Sequence, residues 1–335
     1  MASPVLSVRD LSVHYFTSRG AVRAVDGVSF DLLPGETLGL VGESGCGKTT
    51  VGAALLNMPA PPGRIVAGSI LLEGAEIVGM GETDLRRQVR WSRISMVFQG
   101  AMNCLTPVYT VRSLMRETLR AHEAGGRRPA AEVEKLLRDS VDQVGLPAHA
   151  LDRYPHELSG GMKQRVVIAM ALFLQPPVVV LDEPTTALDV IVQAQILNLV
   201  KTLKRDRRLS CIFITHDLAI EAEVADRVMV MYAGLVAELG TNDQMFSEKG
   251  PRHPYTQKLL AATPRLHRRV SELAFIPGAP PDLLEPPPGC RFAPRCAFAR
   301  GKCRRERPPM VEIEERHSVA CWKAAGDHEY ERGQD

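Results

Sequence analysis

The sequence has little that would bring the chain to a membrane or to a nucleic acid through its own surface. No apolar run reaches the ~18 residues of a spanning helix. The longest candidate, VVIAMALFL at residues 166–174, stops at Gln175, Pro176 and Pro177. The opening MASPVLSVRDLSVHY has no basic stretch followed by an apolar one, so no secretory leader is expected. The formal net charge is only +2, which argues against wholesale nucleic-acid binding. Internal repeats are missing, and no two cysteines have the C-x₂₋₄-C spacing of structural zinc sites. These absences predict a soluble, cytoplasmic chain that reaches any membrane through a partner. Its cysteines are expected to be thiols or metal ligands, since disulfides do not persist in a reducing compartment.

What is present reads as strands and helices in alternation. LSVRDLSVHYF and AVDGVSFDLL alternate apolar and polar residues, and Pro34-Gly35 marks a turn between two such segments. ETLGLVG is a short buried-strand run that feeds a glycine-rich loop, and TTVGAALLNM continues as a helix toward Pro59. GSILLEG, RISMVFQ, PVVVLDE, SCIFITH and RVMVMYAGLVAEL are further strand candidates, the last folding back at Ala233-Gly234. Between residues 110 and 174 the pattern turns helical, with breaks at Gly125-Gly126 and at LPAHALDRYPHELSGG. Strands, a helical insertion and a return to alternation predict an α/β fold with a helical subdomain. Nine of the 24 prolines lie between Pro277 and Pro309, which marks a change of regime near Ala274.

The loop GESGCGKT, residues 42–49, fills every fixed position of G-x-x-x-x-G-K-[ST] between a strand and a helix. In that setting Gly42, Ser44, Gly45, Cys46, Gly47 and Thr50 offer backbone N–H groups and a helix start to phosphate oxygens. Lys48 would set its ammonium on the β- and γ-phosphates, and the Thr49 hydroxyl would ligate Mg²⁺. VVVLDEP then ends an apolar strand with two acids. Asp182 suits Mg²⁺ ligation and Glu183 suits activation of a water, although alone the pair is also what a solvated strand end looks like.

LSGGMKQR at residues 158–165 decides the class, because it resembles the signature of the ATP-binding subunits of ABC transporters. The resemblance covers about residues 5–270. It implies the P-loop NTPase fold of ABC ATPases, with an antiparallel β subdomain and a helical subdomain at about residues 100–175. An ATPase domain over 1–270 would precede a small Pro- and Cys-rich extension over 271–335. It further implies that Ser159, Gly160 and Gly161 contact the γ-phosphate held by an opposing subunit. Met162 replaces the usual glutamine without removing a backbone donor. Tyr15 stands where an aromatic stacks on adenine, with Phe16 as a rival and a core role open to either. Gln99 matches the glutamine that touches Mg²⁺, TALD with Asp189 the loop that couples the two sites, and His216 the switch histidine at γ-phosphate.

GPRHPYTQKLLAATP at residues 250–264 and FQGAMNCLTPV at residues 98–108 resemble segments of ATPases from dipeptide and oligopeptide importers. That similarity implies ATP hydrolysis powering uptake of peptides, or of nickel or sugars, which the same subfamily also handles. The partners implied are a second ATPase subunit, a paralogue rather than a copy, two transmembrane permeases and an extracytoplasmic solute-binding protein. The place implied is the cytoplasmic face of the membrane, with no nucleic acid bound. A soluble ABC ATPase acting on nucleic acid or ribosomes is the competing class. In the tail, Cys290, Cys296, Cys303 and Cys321 are separated by five, six and seventeen residues. The resemblance extends to this tail and implies a [4Fe–4S] cluster, which takes four cysteine ligands; zinc or free thiols are the alternatives. Seven Arg and Lys residues between Arg291 and Arg307 are available to offset a thiolate-rich centre of either kind. The expectation is an appendage outside the ATP chemistry.

Overall fold

The computed structural model describes residues 3–122, 128–186, 188–262 and 276–327. Gly125-Gly126, Ala187 of TALD and the 270/271 boundary lie outside the described residues. The chain divides into two compact units. One comprises Met1–Val5, Leu33–Gly35 and Gly79–Ile212; the other comprises Leu6–Leu32, Glu36–Val78 and Phe213–Asp335.

In the first unit, strand Ile94–Val97 pairs in parallel with strand Val178–Asp182. Both are buried along their whole length, as parallel strands covered on two faces are, which is why they read as unbroken apolar runs. Helices Val111–His122, Ala130–Gln143, Gly160–Leu172 and Val190–Arg207 belong to the same unit. The first buries Val111, Leu114, Met115 and Leu119, a stripe at helical spacing. VVIAMALFL, the longest apolar run, falls mostly in helix Gly160–Leu172. Among the described residues no helix is long and apolar enough to cross a membrane.

The second unit contains an antiparallel sheet in which Leu6–Thr17 lies between Gly20–Leu32 and Gly63–Leu72, and Ala75–Glu76 forms the far edge. A second sheet runs from Thr37–Val41, parallel to Arg227–Tyr232, through Leu235–Thr241 to His317–Val319 and Val311–Glu314. The last three connections are antiparallel. Residues from the proline-rich end of the sequence therefore form one edge of the sheet that contains the strand feeding the phosphate loop.

Packing in this unit is dense at the same place. Tyr232, Tyr255 and Phe292 pack with ring centroids 4.6, 5.2 and 5.4 Å apart and belong to one buried cluster with Val41, Val228 and Val230. Full burial of each ring is worth about 1.5–3 kcal/mol, with a further contribution from the tilted contacts. Phe292 sits two residues from Cys290. A separate polar anchor is Glu238, fully buried, whose carboxylate accepts from the backbone N–H of Arg252 (2.6 Å) and of His253 (3.1 Å). It also pairs with Nε2 of His317 at 2.8 Å. One carboxylate thus joins the HPYTQ segment to strand His317–Val319.

Candidate functional site

The phosphate loop lies in the second unit. Strand Thr37–Val41 ends one residue before Gly42, and helix Lys48–Leu55 begins at the lysine. Glycine is required at two positions. A Cβ on Gly42, at φ 150°, would come within 2.2 Å of the Met231 carbonyl; on Gly47, at φ 105°, it would meet the Ala24 carbonyl at 2.4 Å. Lys48 is buried, and its ammonium donates to the carbonyls of Gly42 (2.7 Å) and Glu43 (3.2 Å). Cys46 is buried beside it, its sulfur 3.8 Å from Lys48 Nζ, and burial holds its thiol above the ordinary range. Ser44, Gly45 and Thr49 are exposed.

Tyr15 stands beside this loop, with its hydroxyl 3.2 Å from that of Thr50. Phe16 is on the other side of the strand, exposed, with the Arg64 guanidinium 5.8 Å above its ring. Between the two aromatics, the tyrosine is the one next to the phosphate loop. His216 lies in the same unit, two residues beyond the end of strand Ser210–Ile214 rather than on it, and is exposed.

The acidic pair lies in the first unit. Asp182 is the last residue of strand Val178–Asp182 and is buried. Glu183 has already left the strand with φ 49°, a left-handed conformation that a non-glycine residue adopts only under constraint. Its Oε2 accepts from Gln99 Nε2 at 2.8 Å and from the Thr186 hydroxyl at 3.0 Å. Gln99 is exposed and stands two residues past strand Ile94–Val97. Because its amide nitrogen faces Glu183, its carbonyl oxygen is the end left for another partner. Gln99 and Asp182, both in this unit, offer oxygen atoms, the donor type that suits Mg²⁺.

The signature residues open a helix. Ser159 is the N-cap of Gly160–Leu172, its hydroxyl accepting from the Met162 N–H at 3.3 Å. Ser159 and Gly160 are exposed, and the first-turn amides carry the partial positive charge that favours an anion. Gly161 is needed for space, since a Cβ there would be 2.6 Å from Val192. Asp189 caps helix Val190–Arg207, with its carboxylate accepting from Val192 N–H at 2.9 Å.

The C-terminal cysteines gather. Cys290, Cys296, Cys303 and Cys321 all line one cavity of about 20 Å³, together with Phe298 and Trp322. Burial pushes the Cys290 thiol up to about 12 and raises Cys296 and Cys321 as well. Among the described residues no three His, Cys, Asp or Glu side chains form a group able to hold a single metal ion.

Four of the seven basic residues between Arg291 and Arg307 pair with carboxylates. Arg291 and Arg307 pair with Asp26, Arg295 with Glu43, and Lys302 with Asp327. The cations that influence Cys296 are instead Lys258 and Lys323. The segment also reaches the phosphate loop, where Arg295 pairs with Glu43. Sequence reasoning missed Glu43, Tyr232, Glu238 and Arg295. Glu43 falls on a free position of the loop motif, so only the partner's geometry reveals its use.

Comparison with known proteins agrees with this layout. Residues 25–186 match the family described as ABC transporter, and residues 237–303 match that described as Oligopeptide/dipeptide transporter, C-terminal region. The dipeptide transport ATP-binding protein DppD of Bacillus subtilis (strain 168) is 45% identical over 95% of this chain and 94% of its own. The oligopeptide transport ATP-binding protein OppD of the same organism is 45% identical over 95% of this chain and 88% of its own. Among solved structures, cbiO1 from Clostridium perfringens superposes with a TM-score of 0.62 at 28% identity, covering 73% of this chain and 92% of that one. The chain belongs to the ABC transporter ATPases, in the family of dipeptide and oligopeptide transport ATP-binding proteins.

Proposed function

We propose that this chain hydrolyses ATP to drive uptake of dipeptides or oligopeptides, as the nucleotide-binding subunit of an importer at the cytoplasmic face of the membrane. The observation that carries the chemistry is the Glu183 carboxylate, held by Gln99 and Thr186 in a constrained backbone conformation. Glu183 takes the proton of the attacking water as general base. Lys48 and the amides of residues 42–50 hold the phosphates, Tyr15 stacks on adenine, and His216 steadies the γ-phosphate. Ser159, Gly160 and Gly161 serve the ATP of the opposing subunit, with Asp189 on the coupling loop. Thr49, Gln99 and Asp182 are the residues that would hold Mg²⁺, which would supply positive charge to the phosphates. The opposing subunit is a paralogue, and two permeases and an extracytoplasmic binding protein complete the assembly.

The peptide assignment is supported by the match of residues 237–303 and by the similarity to the dipeptide and oligopeptide transport proteins DppD and OppD. Its test is reconstitution of the full assembly in vesicles. ATP turnover should rise when the binding protein is loaded with peptide; stimulation by nickel or a sugar and not by peptide would overturn it.

For Cys290, Cys296, Cys303 and Cys321 the proposed ligand is a [4Fe–4S] cluster. One observation supports it: the four cysteines line one cavity. A four-iron cluster also spaces its ligands more widely than a single zinc ion does. Protein purified without oxygen should be brown, and Cys290→Ser should bleach it; colourless protein containing zinc would reject the cluster.

A further inference from the structure

Glu43 follows Gly42 in the phosphate loop, and each of its polar groups is engaged. Its N–H donates to the Tyr255 hydroxyl at 2.9 Å, and its carbonyl accepts from Cys46 N–H and from the Lys48 ammonium, both at 3.2 Å. Its carboxylate takes two bonds from Arg295, 2.6 and 3.0 Å long. These partners lie 212 and 252 residues further along the chain.

Arg295 is itself fixed. Its side chain is 5% exposed, and all five guanidinium N–H groups have acceptors. Nε donates to Pro277 O at 2.9 Å, Nη1 also reaches the Tyr232 hydroxyl at 3.2 Å, and Nη2 also reaches Ile276 O at 3.1 Å. A bidentate pair with every remaining donor satisfied has essentially one geometry. Two consequences follow at the loop. The peptide unit whose carbonyl holds Lys48 is locked in place, and the negative charge of Glu43 is cancelled on a loop that must receive phosphates. Without Arg295, that carboxylate would repel the nucleotide through a partly buried, weakly screened path.

We propose that Arg295 is a positioning residue for nucleotide binding, acting through Glu43 to neutralise and fix the phosphate loop. The proposal rests on the reading of residues 42–49 as the ATP site, and it holds whether or not neighbouring Cys296 binds a metal.

The test is titration of the full-length chain with MgATP, followed by a fluorescent ATP analogue, together with steady-state turnover. Arg295→Met should raise the Kd about tenfold, since it leaves the carboxylate uncompensated. The KM should rise in parallel while kcat stays within about twofold. Removing both charges, in Glu43→Gln/Arg295→Met, should recover most of the affinity, because a neutral pair no longer repels phosphate. A pair that is only a strut for the C-terminal residues predicts a lower melting point with unchanged Kd in Arg295→Met, and that result overturns the proposal. So does a double variant no better than Arg295→Met. Should Arg295→Met fail to fold, Arg295→Lys keeps the charge and loses the fork. Its Kd should rise about threefold, and parental affinity there would refute the proposal. Lys48→Ala in the same titration separates the two readings. If it binds like the parent, the ATP-site assignment and the proposal both fall; if it loses binding while Arg295→Met does not, the proposal alone falls.

Discussion

The phosphate loop at residues 42–49 and the cysteine-bearing segment at residues 289–321 are opposites in how they encode chemistry. The loop is local. Its glycines, lysine and threonine are consecutive, and each does its work through backbone conformation or a side chain of fixed type. The segment is distributed, with its four cysteines, its aromatic anchor Phe292 and its arginines finding partners far away in sequence. Yet the structure joins them through Glu43 and Arg295. A motif that looks self-sufficient takes part of its rigidity from the least regular region of the chain.

Substitutions can break that comparison in graded steps. The largest effect belongs to the loop: Lys48→Ala should abolish nucleotide-dependent turnover in the full chain, which a phosphate-release assay measures. Next is the anchor that holds the C-terminal strand. Glu238→Ala removes a buried carboxylate from two backbone donors and His317, and should cost about 3–5 kcal/mol in denaturant unfolding. A loss below about 1 kcal/mol would show that the strand is held by other contacts.

Acid should act more mildly on the same junction. Burial lowers the His253 pKa from 6.5 to about 4 against opposing contributions from Glu238 and an Ala320 hydrogen bond. The folded chain therefore keeps His253 neutral while the unfolded chain protonates near 6.5, so this contribution is full above that pH and is lost as pH falls toward 4. From pH 7 to pH 5 the loss is about 2 kcal/mol, seen as a fall in melting temperature that His253→Asn reduces. The smallest effect is expected at the surface pair Arg9–Asp31, where Arg9→Ala should change stability by less than about 1 kcal/mol.

The locally encoded features were the ones legible in the sequence. The strand–loop–helix setting of GESGCGKT, the hairpin at Ala233-Gly234 and the helix opened by Ser159 all depend on near neighbours. Boundaries were less legible. Gln99 and His216 were expected to end strands and instead stand two residues beyond them, where the chain has left the hydrogen-bond ladder. The helix expected to run toward Pro59 stops at Leu55, and Asn57 adopts φ 52°, the left-handed turn in which helices commonly end. What could not be read were pairings set by three-dimensional closure. Neither Arg295 as partner of Glu43 nor Asp26 as partner of Arg291 and Arg307 leaves a spacing signal, and a run of basic residues looks the same whether it faces thiolates or carboxylates.

Glu183, held by Gln99 and Thr186, is the base on which the proposed hydrolysis depends. The most direct test measures MgATP binding and hydrolysis together on the Glu183→Gln chain. Binding should stay at the parental affinity while hydrolysis falls at least about 100-fold, trapping the closed pair of ATPase subunits. Hydrolysis at the parental rate would contradict it.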